Sequence, residues 1–349
     1  MNCPGLDDER LASWFAEHVP GARPPLFPER LTGGNSNLTY LVTDADGRRF
    51  VVRRPPLHGV LATANDMGRE WRAIAALQPT DVPVPPAIGF GEDPDIIGAP
   101  FFVTGFVEGV VHHDLATTEA ASTPSHRGTL ARSTVDVLAD LHAVDPEAVG
   151  LDRHGRRGQY LERQLRRWDE QYRATTPSVL PDMETAVVRL HDHLPPEGDT
   201  VVVHGDFRLG NFIVGDDGHI AAVVDWEIST LGDPLADLGF LLVTWARPGS
   251  DVGTLSEAAT APSMADGFPE VDDLAEAYAV RSGRDLSHLG WYLAFNHWRF
   301  ACIMQGVATR ARDGALGDTD AEAVEGFAAS VTERAALAVR ALDLRHGRD

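Results

Sequence analysis

Short stretches of alternating apolar and polar positions fill the first hundred residues, and longer helical periods fill the rest. Leu38–Thr43 reads as a strand, Asp46-Gly47 as a tight hairpin turn, and Phe50–Arg53 as the returning arm, stopped by Pro55-Pro56, which cannot extend a ladder. From Asn65 to Leu77 the period becomes helical, with Met67, Trp71, Ile74 and Leu77 on one face. Two further short strands are expected at Ala87–Phe90 and Pro100–Thr104, so the first third predicts strands with one helix. Beyond Gly109, Thr117–Ser125 is rich in Thr, Ser and Ala and reads as a loop or linker. Helical patterns follow at Gly128–His142, Gly158–Arg173, Asp182–His193, Pro234–Trp245, Val271–Ser282, Leu289–Arg310 and Asp320–Leu342. Short strands interrupt them over Thr200–Asp225, around an Asp217-Gly218 turn, and no internal repeat is visible. The pattern predicts an α+β chain in two lobes: a small antiparallel β-rich lobe with one helix over 1–105, and a larger, mainly helical lobe over 106–349.

A chain of 349 residues has enough length for both lobes to bury a core without metal or disulfide staples. Thirty basic against 52 acidic residues give a formal charge of −22, and without a basic stripe nucleic acid is excluded as a partner. The two cysteines, Cys3 and Cys302, form neither a disulfide framework nor a metal-ligand spacing. No apolar run approaches the ~20 residues that span a bilayer, and Met-Asn-Cys-Pro-Gly-Leu-Asp-Asp-Glu lacks the parts of a secretion signal. A cytoplasmic protein without membrane contact is therefore expected, with a homodimer left open. Every basic residue is arginine, so lysine Schiff-base chemistry and a lysine phosphate clamp are excluded.

Candidate chemistry concentrates between Thr200 and Gly239. The apolar run Val201–Val203 ends at His204-Gly205-Asp206, Asn211 lies five residues beyond Asp206, and Asp225 closes the next apolar run, Ile220–Val224. Two carboxylates and an amide at strand ends suit a hard divalent cation, which takes oxygen ligands, together with a hydroxyl nucleophile. Each residue taken singly would fit a turn or a helix cap; their order together favours chemistry. Asp-x-x-x-x-Asn is also the spacing of the kinase catalytic loop.

These residues, His204-Gly205-Asp206-x-x-x-x-Asn211 followed by Asp225, resemble the signature of aminoglycoside phosphotransferase-like kinases, which share the protein-kinase fold. The resemblance runs from Gly33-Gly34-Asn35-Ser36-Asn37 to near Arg310. Phe50-Val-Val-Arg-Arg-Pro-Pro56 and Trp291-Tyr292…Gln305-Gly306 are similar to the branch linked to acyl-CoA dehydrogenases, whose kinase domains are associated with phosphorylating hydroxyacyl-CoA intermediates. The resemblance implies ATP, Mg²⁺ and phosphoryl transfer to a small-molecule hydroxyl. It implies Asp206 as catalytic base and Asn211 and Asp225 as magnesium ligands. The nucleotide would lie between the lobes, its adenine on the connector Thr104, Gly105, Phe106 and Val107, and its phosphates under Gly33, Gly34, Asn35, Ser36 and Asn37. An aminoglycoside kinase and a nucleotide-binding pseudokinase are the alternatives. Retention of Asp206, Asn211 and Asp225 together speaks against the second.

The chain departs from the family pattern in two places. Arg53 stands where the family has lysine, and Asp225 is followed by Trp226-Glu227 instead of Phe-Gly. Glu227 could add a carboxylate near the metal or lie on the surface. Glu70 falls on the apolar face of its helix, where it is either paired or solvated at the edge; Arg53 is the natural partner. Arg54 should face the other way and serve as a control on the strand's register. Asp233-Pro234 reads as a helix cap, Asp237 as a brace for the catalytic loop, and His142 as packing. His112-His113-Asp114 and His191-Asp192-His193 read as solvated groups, Trp245, Trp291, Trp298 and Phe300 as core or pocket wall, and Pro248–Phe268 as a mobile cover over the acceptor.

Overall fold

A computed structural model describes residues 3–31, 37–57, 66–176, 178–247, 260–314 and 321–343. The chain opens with α1 (Asp8–His18), capped by Asp7, whose carboxylate accepts the Arg10 N–H. A five-stranded antiparallel sheet follows, in the order β1 (Phe27–Leu31), β2 (Leu38–Thr43), β3 (Arg49–Arg54), β5 (Phe101–Gly105), β4 (Ala87–Gly91). α2 (Met67–Leu77) and the single turn α3 (Pro94–Ile97) connect its strands. The first third thus holds three helices, not one. α1 covers one face of the sheet through Leu11, Trp14 and Phe15, which pack with Tyr40, Val42, Phe50, Val52, Phe101 and Val103. α2 covers the other through Met67, Ala73, Ile74 and Leu77, beside Phe102.

Strand alternation decides the fate of two adjacent arginines. Phe50, Val52 and Arg54 are buried on the α1 side, whereas Arg53, paired in register with Thr39 and Phe102, faces α2 and the second lobe. The register expected from the sequence is therefore correct. Arg54 is nevertheless no idle control: its guanidinium donates to the carbonyls of Pro55, Gly5 and Ile97 and is almost wholly buried.

The larger part contains α4 (Leu115–Ala121), α5 (Pro124–Ala143), α6 (Tyr160–Thr175), α7 (Pro181–Asp192), α8 (Pro234–Thr244), α9 (Val271–Ser282), α10 (Leu289–Arg312) and α11 (Ala321–Asp343). Two small sheets sit among them: β6 (Val201–Val203) with β9 (Thr230–Gly232), and β7 (Phe212–Val214) with β8 (Ile220–Val223). Thr117–Ser125 is the end of α4 and the start of α5, with only Ser122 and Thr123 between them, instead of a linker. Asp114 and Thr117 form a capping box for α4, and Thr123 caps α5 with Pro124 in its first turn, so the polar residues mark helix ends. Trp245, Trp291 and Trp298 are buried as core, and the apolar cluster runs unbroken from α2 into these helices. Of the expected cover, 248–259 lie outside the described residues. Its described end is packed, with Ser263 and Phe268 buried and the Asp266 carbonyl held by Arg127. No helix among the described residues is long and apolar enough to cross a membrane.

Candidate active site

The buried valines of β6 deliver His204, Gly205 and Asp206 to the junction of the two lobes. Asp237, one turn into α8, accepts the His204 N–H at 2.6 Å and the Gly205 N–H at 2.7 Å. From the opposite side Arg299 of α10 donates to the Gly205 carbonyl at 2.7 Å, its guanidinium stacked against Trp168 and Phe240. Gly205 has φ +84°, and a Cβ there would stand 3.1 Å from Ile228, so the turn requires glycine. Both ends of this peptide are fixed by charged groups before the chain reaches Asp206. Burial alone would raise the Asp237 carboxyl, but the His142 ring and the Gly205 N–H hold it below its ordinary range. His142 bonds Tyr278 at 2.7 Å, and burial keeps its pKa low, in keeping with a packing role.

His204 links the loop to the second strand end. Its Nδ1 accepts the Asp206 N–H and its Nε2 donates to the Val224 carbonyl, beside Asp225. Asn211 donates through Nδ2 to both the carbonyl and the carboxylate of Asp206, each at 2.8 Å, leaving its Oδ1 as the atom available to a cation. The Asp206 carboxylate is 24% exposed and lies 3.2 Å from Arg208 Nε. Arg208 was not foreseen as a site residue, although its place inside the Asp206–Asn211 loop was a usable signal.

Arg53 joins the lobes. Its Nη1 lies 3.0 Å from Glu70 Oε1, its Nη2 2.6 Å from Asp225 Oδ1 and 3.9 Å from Glu227 Oε2. Glu70 is therefore paired, and Glu227 belongs to the site, where it also accepts from Asn37 at 3.2 Å. Burial pushes the Glu70 carboxyl up to about 7; Arg53 opposes this, and Asp225 and Glu227 add to it. Burial would lower Arg53, but Glu70, Asp225 and Glu227 outweigh it and hold the guanidinium firmly protonated. Three carboxylates share one guanidinium, which leaves an excess of negative charge around Arg53. Asp225 itself has φ 70°, ψ 56°, an unusual left-handed conformation for a residue other than glycine.

Of the expected nucleotide contacts, Gly33, Gly34, Asn35 and Ser36 lie outside the described residues. Thr104 is buried in β5 opposite Val51. The Gly105 N–H is taken by the Pro86 carbonyl and the Phe106 N–H by that of Arg49, which also stacks on the Phe106 ring. A base at this connector would thus use backbone carbonyls or Val107. No cluster of three His, Cys, Asp or Glu side chains among the described residues could hold a metal, and His112, expected to be solvated, is buried, which lowers its pKa. Asp233 caps α8 through the Leu235 N–H and accepts from Tyr292 at 2.7 Å, a structural role.

Known proteins resemble this chain in sequence and fold. A mouse protein, acyl-CoA dehydrogenase family member 10, is 35% identical over 83% of the chain and 27% of its own length. An Arabidopsis thaliana protein, probable acyl-CoA dehydrogenase IBR3, is 32% identical over 87% of the chain and 39% of its own length. The chain thus spans well under half of these curated relatives. A crystal structure of a candidate aminoglycoside phosphotransferase from Ralstonia eutropha JMP134 superposes with TM-score 0.80 at 31% identity, covering 98% of this chain and 99% of that one. A spectinomycin phosphotransferase in complex with ADP, 12% identical at TM-score 0.61 over 97% of this chain and all of that one, shares the fold. The model of the phosphotransferase enzyme family matches residues 29–274, and the chain belongs to that family, an enzyme of the kinase type.

Proposed function

We propose that this chain transfers the γ-phosphate of ATP to a hydroxyl of a small molecule, with a hydroxyacyl-CoA-like metabolite as the acceptor class. The observation that carries the reading is the joined placement of Asp206, Asn211 and Asp225 at adjoining strand ends, with Asn211 bonded to Asp206 and Asp225 tied to the Arg53–Glu70 pair. Asp206 orients the acceptor hydroxyl and takes its proton as the oxygen attacks the γ-phosphorus, while the bond to the ADP oxygen breaks. Its partner Asn211 fixes the carboxylate's direction, and Arg208 offers cationic charge beside the incoming phosphate. Arg53 stands in for the family's lysine: its planar fork spans Glu70 and Asp225 and can reach phosphate oxygens. Most of the acceleration comes from positioning and from charge already in place.

Asn211 Oδ1 and the Asp225 carboxylate would hold Mg²⁺, which would neutralise charge on the phosphates. These hard oxygen donors fit that ion, because magnesium takes one or two carboxylates and completes its shell with phosphate oxygens and water.

The acceptor class is supported by relatives at 32–35% identity that carry the name acyl-CoA dehydrogenase. An aminoglycoside acceptor is the second reading, favoured by the Ralstonia structure. ADP release measured across hydroxyacyl-CoAs, choline-like alcohols, sugars and aminoglycosides separates the two. Turnover of hydroxyacyl thioesters upholds the first; robust turnover of kanamycin-like compounds with none on thioesters overturns it.

A further inference from the structure

We propose that Arg69 is a positioning residue for phosphoryl transfer, clamping α2 onto the turn behind Asp225 so that Glu70 stays engaged with Arg53; this rests on the reading of the site given above. Arg69 follows the cap of α2, where Asp66 accepts its backbone N–H at 3.0 Å. Its side chain leaves the small lobe altogether. Nε and Nη2 donate to the Ser229 carbonyl at 3.1 and 2.6 Å, and Nη2 donates again to the His154 carbonyl at 2.7 Å.

The receiving surface is built in advance. Ser229 is fully buried; its N–H and Oγ both donate to the Trp226 carbonyl, at 3.1 and 2.7 Å, and its Oγ accepts from His154 Nε2 at 2.8 Å. Burial first, and the Arg69 charge second, push the His154 ring down to about 4, so it stays neutral and donates only through Nε2. The clamp is therefore indifferent to pH around neutrality.

Arg69 and Glu70 are successive residues that grip the two ends of one short turn, Trp226–Ile228, which follows Asp225 directly. Arg69 holds the carbonyl just past it, and Glu70 reaches Asp225, just before it, through the shared Arg53 guanidinium. The other contacts of α2, through Met67, Ile74 and Leu77, are apolar and without direction. Swinging α2 away from both β3 and the second lobe would break the Arg69 bonds and the Glu70–Arg53 pair together. The engaged position of this helix is thus built into the chain, and Arg69 is what fixes it.

The test combines hydrogen exchange over 66–77 and 226–229 with calorimetric titration of ADP plus Mg²⁺, below the unfolding transition of every variant. Arg72→Met is the control, since Arg72 is 63% exposed and faces Asp66 of its own helix. Arg69→Met is expected to speed exchange in both segments and weaken nucleotide binding by about tenfold, the loss of one charged hydrogen bond. Arg69→Lys, with fewer donors, should fall between, and it carries the test if the methionine variant does not fold. A lower melting temperature with exchange and nucleotide affinity unchanged would mean ordinary packing and overturn the proposal. If the wild-type chain binds no ADP with Mg²⁺, the nucleotide reading fails and exchange alone decides: faster exchange in Arg69→Met upholds the clamp, unchanged exchange overturns it.

Discussion

Replacing Arg53 by methionine removes the guanidinium that faces Glu70, Asp225 and Glu227, while keeping an unbranched side chain that follows the arginine stem as far as Nε. In the intact protein burial already lifts Glu70 from 4.5 to about 7. A carboxyl whose folded pKa lies above its unfolded value binds more protons when folded. Glu70's contribution to stability therefore falls as pH rises from about 4.5 to about 7, by roughly 3 kcal/mol at ~1.4 kcal/mol per unit. Without Arg53 the folded value moves higher still, and the loss continues above neutrality. Breaking a buried ion pair costs at most ~3–5 kcal/mol. Here Asp225 and Glu227 are 28% and 24% exposed, and Glu70 can accept a proton instead of standing as a bare charge. The expected cost is roughly 2–3 kcal/mol at pH 8.5 and about 1 kcal/mol at pH 6. Urea unfolding of both proteins at the two pH values measures it, and repeating the comparison on a Glu70→Gln background should abolish the pH dependence. Equal losses at both pH values would refute the reasoning, as would a pH dependence that survives Glu70→Gln.

Two other substitutions probe the supports of the site. Arg54→Ala strands the buried Ile97 carbonyl and the half-buried Gly5 carbonyl and should cost about 2–3 kcal/mol in urea unfolding, with nucleotide affinity by calorimetry unchanged. Asp237→Asn leaves one acceptor for the two N–H groups of His204 and Gly205; turnover at saturating ATP should fall by about 10²-fold with little change in KM for ATP, as initial rates would show.

Local chemistry made most of this molecule readable. The hairpin around Asp46-Gly47, the helix over Met67–Leu77 and the loop from His204 to Asn211 all announce themselves through turn residues, periodicity and spacing. The Arg53–Glu70 pair followed from a charge on an apolar helix face and from the arginine that stands at the family's lysine position on the returning strand. β1 was missed because Phe-Pro-Glu-Arg-Leu pairs on one edge only and is largely exposed, so it lacks alternation. α1 carried a readable Leu11–Trp14–Phe15 spacing, but in so short a helix its stability comes from the sheet face it covers. The Thr/Ser run near 117–125 was misread because capping residues and loop residues are the same residues. Arg299 and Arg69 act 94 and 160 positions away from the groups they hold, contacts that only the fold creates.

The most direct measurement is calorimetric titration of ATP with Mg²⁺ into the wild-type chain, Asp206→Ala and Asp225→Ala. If Asp206 is the base and Asp225 the cation ligand, Asp206→Ala binds with near wild-type affinity and Asp225→Ala binds at least about tenfold more weakly, the scale of one lost charged contact. Equal loss in both variants, or no heat of binding from the wild-type chain, would contradict the assignment of these two carboxylates.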